Sequence, residues 1–507
     1  MARTFELETL KMRLNDAEFQ LLGLHQRIQR ALRALILEGA LDPGLKLPAT
    51  RVLAKSLGIA RDTVENAYVQ LHRDGFIVRR EGAGSYVCET LGTELRGAAR
   101  RRIKAQEIKS SQAAPGAGLS QRGRMILDSG GVTDQQVIKA FATGLPETRT
   151  FPTDVWERLQ RQVMKDYRAN VLLHGDPQGA EPLRKAIATY LNLERGAKCS
   201  SDQVLVLSST RQALFLCAQL LVDVGKPILL ENPGYYGAKK AFETAETNVL
   251  PIDVDELGIR TDLLHADRSG ANCVYVTPSH QYPTGATLPL ERRLELINWA
   301  AEKGKWVIED DYDSEFHYDG QPTACVQGLD KYQRTLYIGT FSKTLYPGLR
   351  MGYLVLPRSL AGAFQTAHAE LYRAGHLMTQ ATVAEFMQAG DYAAHIRRMR
   401  PLYARRRAIL AALIERYLGP GALHEHGSNA GLHLVLRLPD DADDVAITAA
   451  ARARGIMVRP LSRYFIGDAV QRGLLLGYAC VPEEDIAPAF DRLLGCLPRG
   501  GMRAPQR

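Results

Sequence analysis

The chain has 507 residues, enough for several domains, and its 45% hydrophobic and 24% charged content lies near globular averages, which excludes a fibrous or mainly disordered protein. Its net charge of +8 is uneven: residues 1–110 carry 19 Lys/Arg against 13 Asp/Glu, a bias found both in nucleic-acid-binding modules and on plain basic surfaces. Seven dispersed cysteines without a Cys-x-x-Cys pair suggest neither a disulfide framework nor a zinc site, no metal is expected, and no apolar run approaches the roughly 18 residues of a membrane span, so the expected location is the reducing cytoplasm.

From about Leu21 to Glu38 apolar residues recur at helical spacing (Leu24, Ile28, Leu32, Leu35) with arginines between them, which predicts an amphipathic helix. GALDPGLKLPATR then breaks regular structure, and a short helix from Arg51 to Leu57 is ended by Gly58. A third helix is predicted from about Arg61 to Arg73, and FIVRREGAGSYVC reads as a hairpin. Three helices and a hairpin make residues 1–88 a winged helix-turn-helix. Its second helix of the turn must point its first residues at base edges, which nominates Arg61, Asp62 and Thr63. Thr50 and Arg51 open the preceding helix, and Arg79, Arg80 and Gly82 lead into the wing, positions suited to phosphate contacts. Tyr68 is expected in the core.

Residues 89–136, rich in Arg, Lys, Ser, Gln, Ala and Gly, read as a flexible linker with a basic start. Beyond it, over 137–500, β-rich runs (QVLVLSS, KPILLE, NCVYVTP, KWVIEDD, TLYIGT, GYLVLP) alternate with helical stretches. That alternation predicts an α/β fold with a mainly parallel sheet, followed by a smaller C-terminal α+β subdomain. Ligands are then expected at strand ends.

Three segments there carry chemistry. In YIGTFSKTLYPGLRMGY, Lys343 follows a strand and is flanked by Thr340, Ser342 and Arg350. An amine that attacks a carbonyl has to be neutral and held in place, and a phosphorylated carbonyl cofactor needs hydroxyls and an Arg for its phosphate. WVIEDDYDSEF puts Asp310 at a strand end, where a carboxylate keeps a pyridine nitrogen protonated, with Tyr312 able to donate to a ring oxygen. LSSTRQAL runs from strand to helix through Ser209 and Thr210, equally an anion site or an ordinary N-cap.

Their order resembles fold type I enzymes dependent on pyridoxal 5'-phosphate (PLP). The segment PGLKLPATRVLAKSLGIARDTVENAYVQLHRDGFIVRREGAGSYV resembles a GntR-type winged helix. With ENPGYYG, PSHQYPTGATL and GTFSKTLYPGLRMGYL, nearly the whole chain resembles the MocR/GabR-type regulators, a winged helix-turn-helix fused to an aminotransferase-like domain. The resemblance implies that Lys343 forms the internal aldimine, Asp310 pairs with the pyridine nitrogen, Tyr312 bonds the phenolic oxygen and Tyr235 stacks on the ring. It assigns the phosphate to Arg350, Thr340, Ser342, Ser209 and Thr210. It implies a PLP-dependent regulator of little or no turnover that binds double-stranded DNA, its own promoter region included, as a head-to-tail homodimer, and senses an amine, an amino acid or PLP itself. The alternative is an aminotransferase with an appended DNA-binding domain.

Departures from the pattern sharpen the expectations. Tyr282-Pro283-Thr284-Gly285 lacks the amide that tunes the phenolic oxygen, leaving His280 or Gln281 to substitute. His174 stands where relatives often have a Tyr that reaches the neighbouring subunit's phosphate, and Ala60 where a Ser is frequent. Leu475 takes the place of the Arg that binds a substrate carboxylate, so Arg459 or Arg463 would supply that charge to an effector.

Overall fold

The computed structural model describes residues 5–16, 19, 22–89, 118–127 and 139–498, apart from 174, 319–323, 374 and 424–429, so His174 lies outside the described residues. The chain forms two compact units that divide between Ala117 and Gly118.

The first unit opens on α1 (Leu7–Leu14), which the sequence reading did not foresee, followed by α2 (Leu24–Leu37), α3 (Thr50–Leu57) and α4 (Arg61–Arg73). The helical spacing in α2 puts Ile28, Leu32, Leu35 and Ile36 on one buried stripe, which packs with Leu53 of α3 and Val64, Ala67 and Leu71 of α4. Gly58 ends α3 at φ +67, a left-handed conformation that glycine adopts without steric cost. Tyr68 is fully buried and its hydroxyl donates to the Pro48 carbonyl at 3.0 Å. Ala60 sits at the N-cap of α4 without a side-chain hydrogen bond. The wing is β1 (Ile77–Arg80) paired antiparallel with β2 (Gly84–Val87).

The second unit is built on an eight-stranded sheet of order β3-β10-β9-β8-β7-β4-β5-β6. Its strands are β3 (Val204–Leu207), β4 (Pro227–Asn232), β5 (Asn248–Asp255), β6 (Gly258–Ile259), β7 (Cys273–Val276), β8 (Trp306–Asp311), β9 (Thr335–Thr340) and β10 (Gly352–Val355). The run from β9 through β8, β7 and β4 to β5 is parallel. β10 is antiparallel to both β9 and β3. The reason is local: the loop 341–351 between β9 and β10 is shorter than the roughly dozen residues of a parallel crossover, so the chain turns back. That loop holds Lys343 and Arg350. Helices cover both faces, with Leu214, Cys217 and Phe242 in one apolar layer and Leu264, Leu296 and Trp299 in the other, as a parallel sheet requires. A smaller antiparallel sheet, β11 (His433–Leu438), β13 (Arg472–Gly477) and β12 (Arg459–Pro460) in that order, forms the C-terminal subdomain.

Of the segment read as a linker, residues 90–117 and 128–136 lie outside the described residues. Within it Gln121–Leu127 is helical, packs beside the helix Tyr236–Thr244, and pairs Arg122 with Glu246.

Candidate functional site

The parallel strands β7 and β8 and the loop after β9 deliver their side chains to one cleft, the place where open α/β sheets bind ligands. Lys343 reaches back across the cleft, and its Nζ donates to the Gly144 carbonyl at 2.7 Å. Gly144 lies at φ +73, and a Cβ there would approach Nζ to 2.5 Å, so the lysine needs a glycine opposite it. Burial pushes the Lys343 amine below its ordinary value, with Asp313 and Asp310 opposing; a depressed amine is the better nucleophile at neutral pH.

Asp310 ends β8. Its Oδ2 accepts from the Tyr275 hydroxyl at 2.7 Å, whereas Oδ1 is buried and has no hydrogen-bond partner. Burial pushes its carboxyl up to about 7, against the Tyr275 hydrogen bond. A buried unsatisfied carboxylate oxygen is costly unless something fills the space before it. A protonated pyridine nitrogen supplies the missing donor and charge, so the residues present fit PLP. Tyr275 was missed in the sequence reading; it sits on the neighbouring strand with no motif around it.

Behind Asp310, Tyr312 places its Oη 2.9 Å from His280 Nδ1, and the same nitrogen is 3.0 Å from Asp313 Oδ2. Gln281 is engaged elsewhere, donating to Glu231, to the Pro233 carbonyl at 2.9 Å and to the Tyr282 carbonyl at 2.9 Å. Of the two residues named for the missing amide, it is therefore His280 that touches Tyr312. Tyr235 meets Tyr282 edge-on, ring centroids 5.6 Å apart.

At the phosphate end, Ser209 caps the helix Thr210–Leu221, its hydroxyl accepting from Gln212 N at 3.2 Å, and Thr210 is the first helical residue. Both the anion reading and the capping reading of this turn are compatible with that geometry. The Thr340 hydroxyl accepts from Ser342 N at 3.1 Å and braces the lysine loop. Arg350 is exposed at φ +51 and, with Ser208, lines a cavity of about 280 Å³.

The effector side of the pocket distinguishes the two candidate arginines. Arg459 on β12 pairs in register with Leu475 on β13, so it lies beside the very position where the expected Arg is absent. Arg463 is exposed on a short turn, while Arg459 is half-buried and faces the Tyr282 and Tyr464 phenols, which stand 3.1 Å apart.

Four carboxyls around the site, Glu231, Glu309, Asp310 and Glu315, are each pushed up to about 7, chiefly by burial. In the unfolded chain they release protons near pH 4. Between about 4 and 7 the folded cofactor-free protein therefore binds more protons than the unfolded one, and its stability falls as pH rises through that window. Thermal melts of cofactor-free protein from pH 5 to 8 are expected to shift steadily downward; a flat or rising profile refutes this electrostatic reading.

On the first unit, Arg51, Arg61, Asp62, Arg80 and Gly82 are exposed, with Thr50 and Thr63 half-buried. Arg79 is held: its Nη1 is 2.8 Å from Glu65 Oε1 of α4. Arg80 lies over the Tyr86 ring at 4.8 Å, and Lys46, which the sequence reading did not single out, lies over the same ring at 5.7 Å.

A winged helix joined to a fold type I PLP site defines a DNA-binding transcription regulator with an aminotransferase-like domain. Residues 24–87 match the family model "Bacterial regulatory proteins, gntR family" and residues 141–493 match "Aminotransferase class I and II". The chain is 35% identical over 93% of both chains to the probable rhizopine catabolism regulatory protein MocR of Rhizobium meliloti. It is 30% identical to the pyridoxine biosynthesis transcriptional regulator PdxR of Corynebacterium glutamicum, over 91% of this chain and 93% of that one. Among solved structures, Pyrococcus horikoshii kynurenine aminotransferase superposes with TM-score 0.66 at 25% identity, covering 77% of this chain and 98% of that one. The chain belongs to the MocR-type regulators of the GntR family. Its cofactor is PLP. A GntR domain binds DNA, and an aminotransferase-like domain holds a small molecule and dimerises. Among the described residues no helix is long and apolar enough to cross a membrane.

Proposed function

We propose that this regulator senses an amine, an amino acid or PLP itself at Lys343, in the cytoplasm, and passes the signal to its own promoter region as a head-to-tail homodimer. The observation that carries the reading is the half-buried Lys343, its amine held on the Gly144 carbonyl in electrostatic reach of Asp310, whose second oxygen has no protein partner. When bound, PLP supplies an aldehyde that a primary amine can enter and an electron-withdrawing ring. Lys343 offers the resident amine, Asp310 holds the ring nitrogen's proton, and Tyr312 donates to the phenolic oxygen. Tyr235 covers the ring, and His280 stands behind Tyr312. Arg350, Ser209, Thr210, Thr340 and Ser342 serve the phosphate, and Arg459, in preference to Arg463, an effector carboxylate. The domain plan is a DNA-binding unit within 1–88, a connecting segment over 89–136 and a PLP unit over 137–500.

An effector alters DNA binding only if it favours one conformation of the dimer over another. Little or no turnover is expected, because Leu475 is buried where a substrate-clamping arginine would stand. A visible absorbance band that borohydride abolishes, together with effector-dependent binding to the upstream DNA, supports this reading. Multiple turnovers with a 2-oxo acid would instead favour an aminotransferase.

On the DNA side, Arg61 at the first turn of α4 addresses a base edge, so Arg61→Ala is expected to weaken specific binding about tenfold or more. Arg51 and Arg80 address phosphates; Arg51→Ala or Arg80→Ala is expected to flatten the log–log salt dependence by about one unit. Fluorescence anisotropy on specific and scrambled duplexes at several salt concentrations measures both. Equal losses on both duplexes for Arg61→Ala would remove it from base reading.

A further inference from the structure

We propose that Asp313 is a positioning residue which, acting through His280, turns the Tyr312 hydroxyl proton into the cofactor pocket. This rests on the pocket being a PLP site. A single ring nitrogen, His280 Nδ1, lies 3.0 Å from Asp313 Oδ2 and 2.9 Å from Tyr312 Oη. A carboxylate only accepts hydrogen bonds, so the shared proton sits on Nδ1 and points toward both oxygens. A nitrogen that already carries its proton cannot accept one from Tyr312. The Tyr312 O–H is thereby turned away from His280 and is left to donate on its other side.

The surroundings lock this polarity. His280 is 3% exposed and Asp313 is buried with it. A Cβ on Gly431 would stand 2.1 Å from His280 Cε1, so the ring packs directly against bare backbone and needs a glycine there. On its other side the His433 ring lies with its centroid 5.3 Å away. Burial pushes His433 down to about 3, so it is neutral near pH 7. Its Nε2 donates to the Pro283 carbonyl at 3.0 Å, because a carbonyl has no proton to give. The charged and titratable groups facing the network include Asp310, Asp311, Glu231, Glu315, Lys343, Tyr282, Tyr318 and Tyr478, and of these only Lys343 is a cation. His280, Asp313 and His433 also bring metal-ligating atoms within 4.8 Å of one another. Hydrogen bonds already engage Nδ1 of His280, Oδ2 of Asp313 and Nε2 of His433, which favours a proton-holding network over an ion.

The network answers the departure in the Tyr-Pro-Thr-Gly loop. With no amide to donate to the phenolic oxygen, the whole of that duty falls on Tyr312, and its proton must not be drawn off to a neighbouring base. Asp313 secures this from behind.

The test is a pH titration of the visible cofactor band in the full-length, PLP-loaded protein. A donor to the phenolic oxygen stabilises its anionic form, so losing the donor raises the pH midpoint of the band. Tyr312→Phe is expected to raise it by about one unit or more, the size of one hydrogen bond to a charged group. Asp313→Asn is expected to move it the same way by about one unit. A neutral amide no longer holds the imidazole proton on Nδ1; once that proton moves to Nε2, the bare Nδ1 accepts the Tyr312 proton. The double variant should rise no further than Tyr312→Phe alone, since both act on one hydrogen bond. If Asp313→Asn fails to fold, His280→Ala carries the test: it should raise the midpoint, and His280→Asn, which puts an amide N–H near the place of Nδ1, should restore it. An unmoved midpoint in Asp313→Asn beside a raised one in Tyr312→Phe overturns the proposal and leaves the PLP site standing, as does an additive double variant or a stoichiometric metal in the purified protein. A wild-type protein with no visible band overturns the PLP reading itself.

Discussion

Replacing Lys343 by alanine is expected to remove every trace of cofactor fixed to the chain by borohydride, against about one per chain in the wild type, and to abolish the response of DNA binding to the effector. The lysine is the primary amine that the structure aims into the pocket, hydrogen-bonded to Gly144 and flanked by Asp310 and Asp313. Removing it also strips those two carboxyls of a cation that holds them down, which weakens but does not remove the hold of Asp310 on the ring, so a Lys343→Ala protein should still take up PLP non-covalently, less tightly, through Asp310 and the phosphate end. Intact-protein mass spectrometry after borohydride reads the first outcome, and anisotropy with and without a screened amine reads the second. Full retention of covalent cofactor in Lys343→Ala would move the attachment to another residue and undo the functional proposal.

Asp311→Ala should be the most destabilising single change near the site, costing about 3–5 kcal/mol. Asp311 and Arg195 form an ion pair at 2.9 Å with side chains 1% and 3% exposed. The same carboxylate accepts from the Tyr337 hydroxyl at 2.8 Å. Truncation removes this carboxylate from a buried guanidinium, and the neutral Ser279 hydroxyl, 2.8 Å from it, does not replace the lost charge. Denaturant unfolding of wild type and variant under one condition measures the difference; a loss below about 1 kcal/mol would show that water or a rearranged carboxylate reaches Arg195. The effect belongs to the frame of the site and not to its chemistry, since the Asp311 carboxylate is taken up by Arg195 and Tyr337.

The contrast between Asp310 and Asp311 explains what the sequence disclosed and what it withheld. Apolar runs and a strand-end carboxylate were legible because a buried parallel strand has to be apolar along its length and polar only where it emerges. Successive residues of a strand point to opposite faces, so of two adjacent aspartates one enters the cleft and the other faces away from it. Which one does so depends on the neighbouring strands. The Lys343 loop and the helix start at Ser209 were likewise readable from local pattern. Tyr275, Gly144 and Asp313 were not, because what gives them a role is a partner far away in sequence: the Lys343–Gly144 bond spans 199 residues. The choice between Arg459 and Arg463 came from the cross-strand register opposite Leu475, which no periodicity encodes. In the DNA-binding unit the three later helices and the hairpin followed from spacing and glycines, whereas α1, with Leu7, Leu10 and Leu14 at helical spacing, spans only eight residues and is too short to establish a period.

The ion pair between Arg79 of the wing strand and Glu65 of the recognition helix has a further effect on how DNA is read. In the proposed DNA-bound form it would tie the helix in the wide groove to the wing in the neighbouring narrow one, a modest restraint on their span because both side chains are about a third exposed. A duplex whose local twist or groove width differs from that span is penalised even where no base is touched. Discrimination among operators would then depend partly on shape, with Glu65 contributing through the gap it sets between helix and wing.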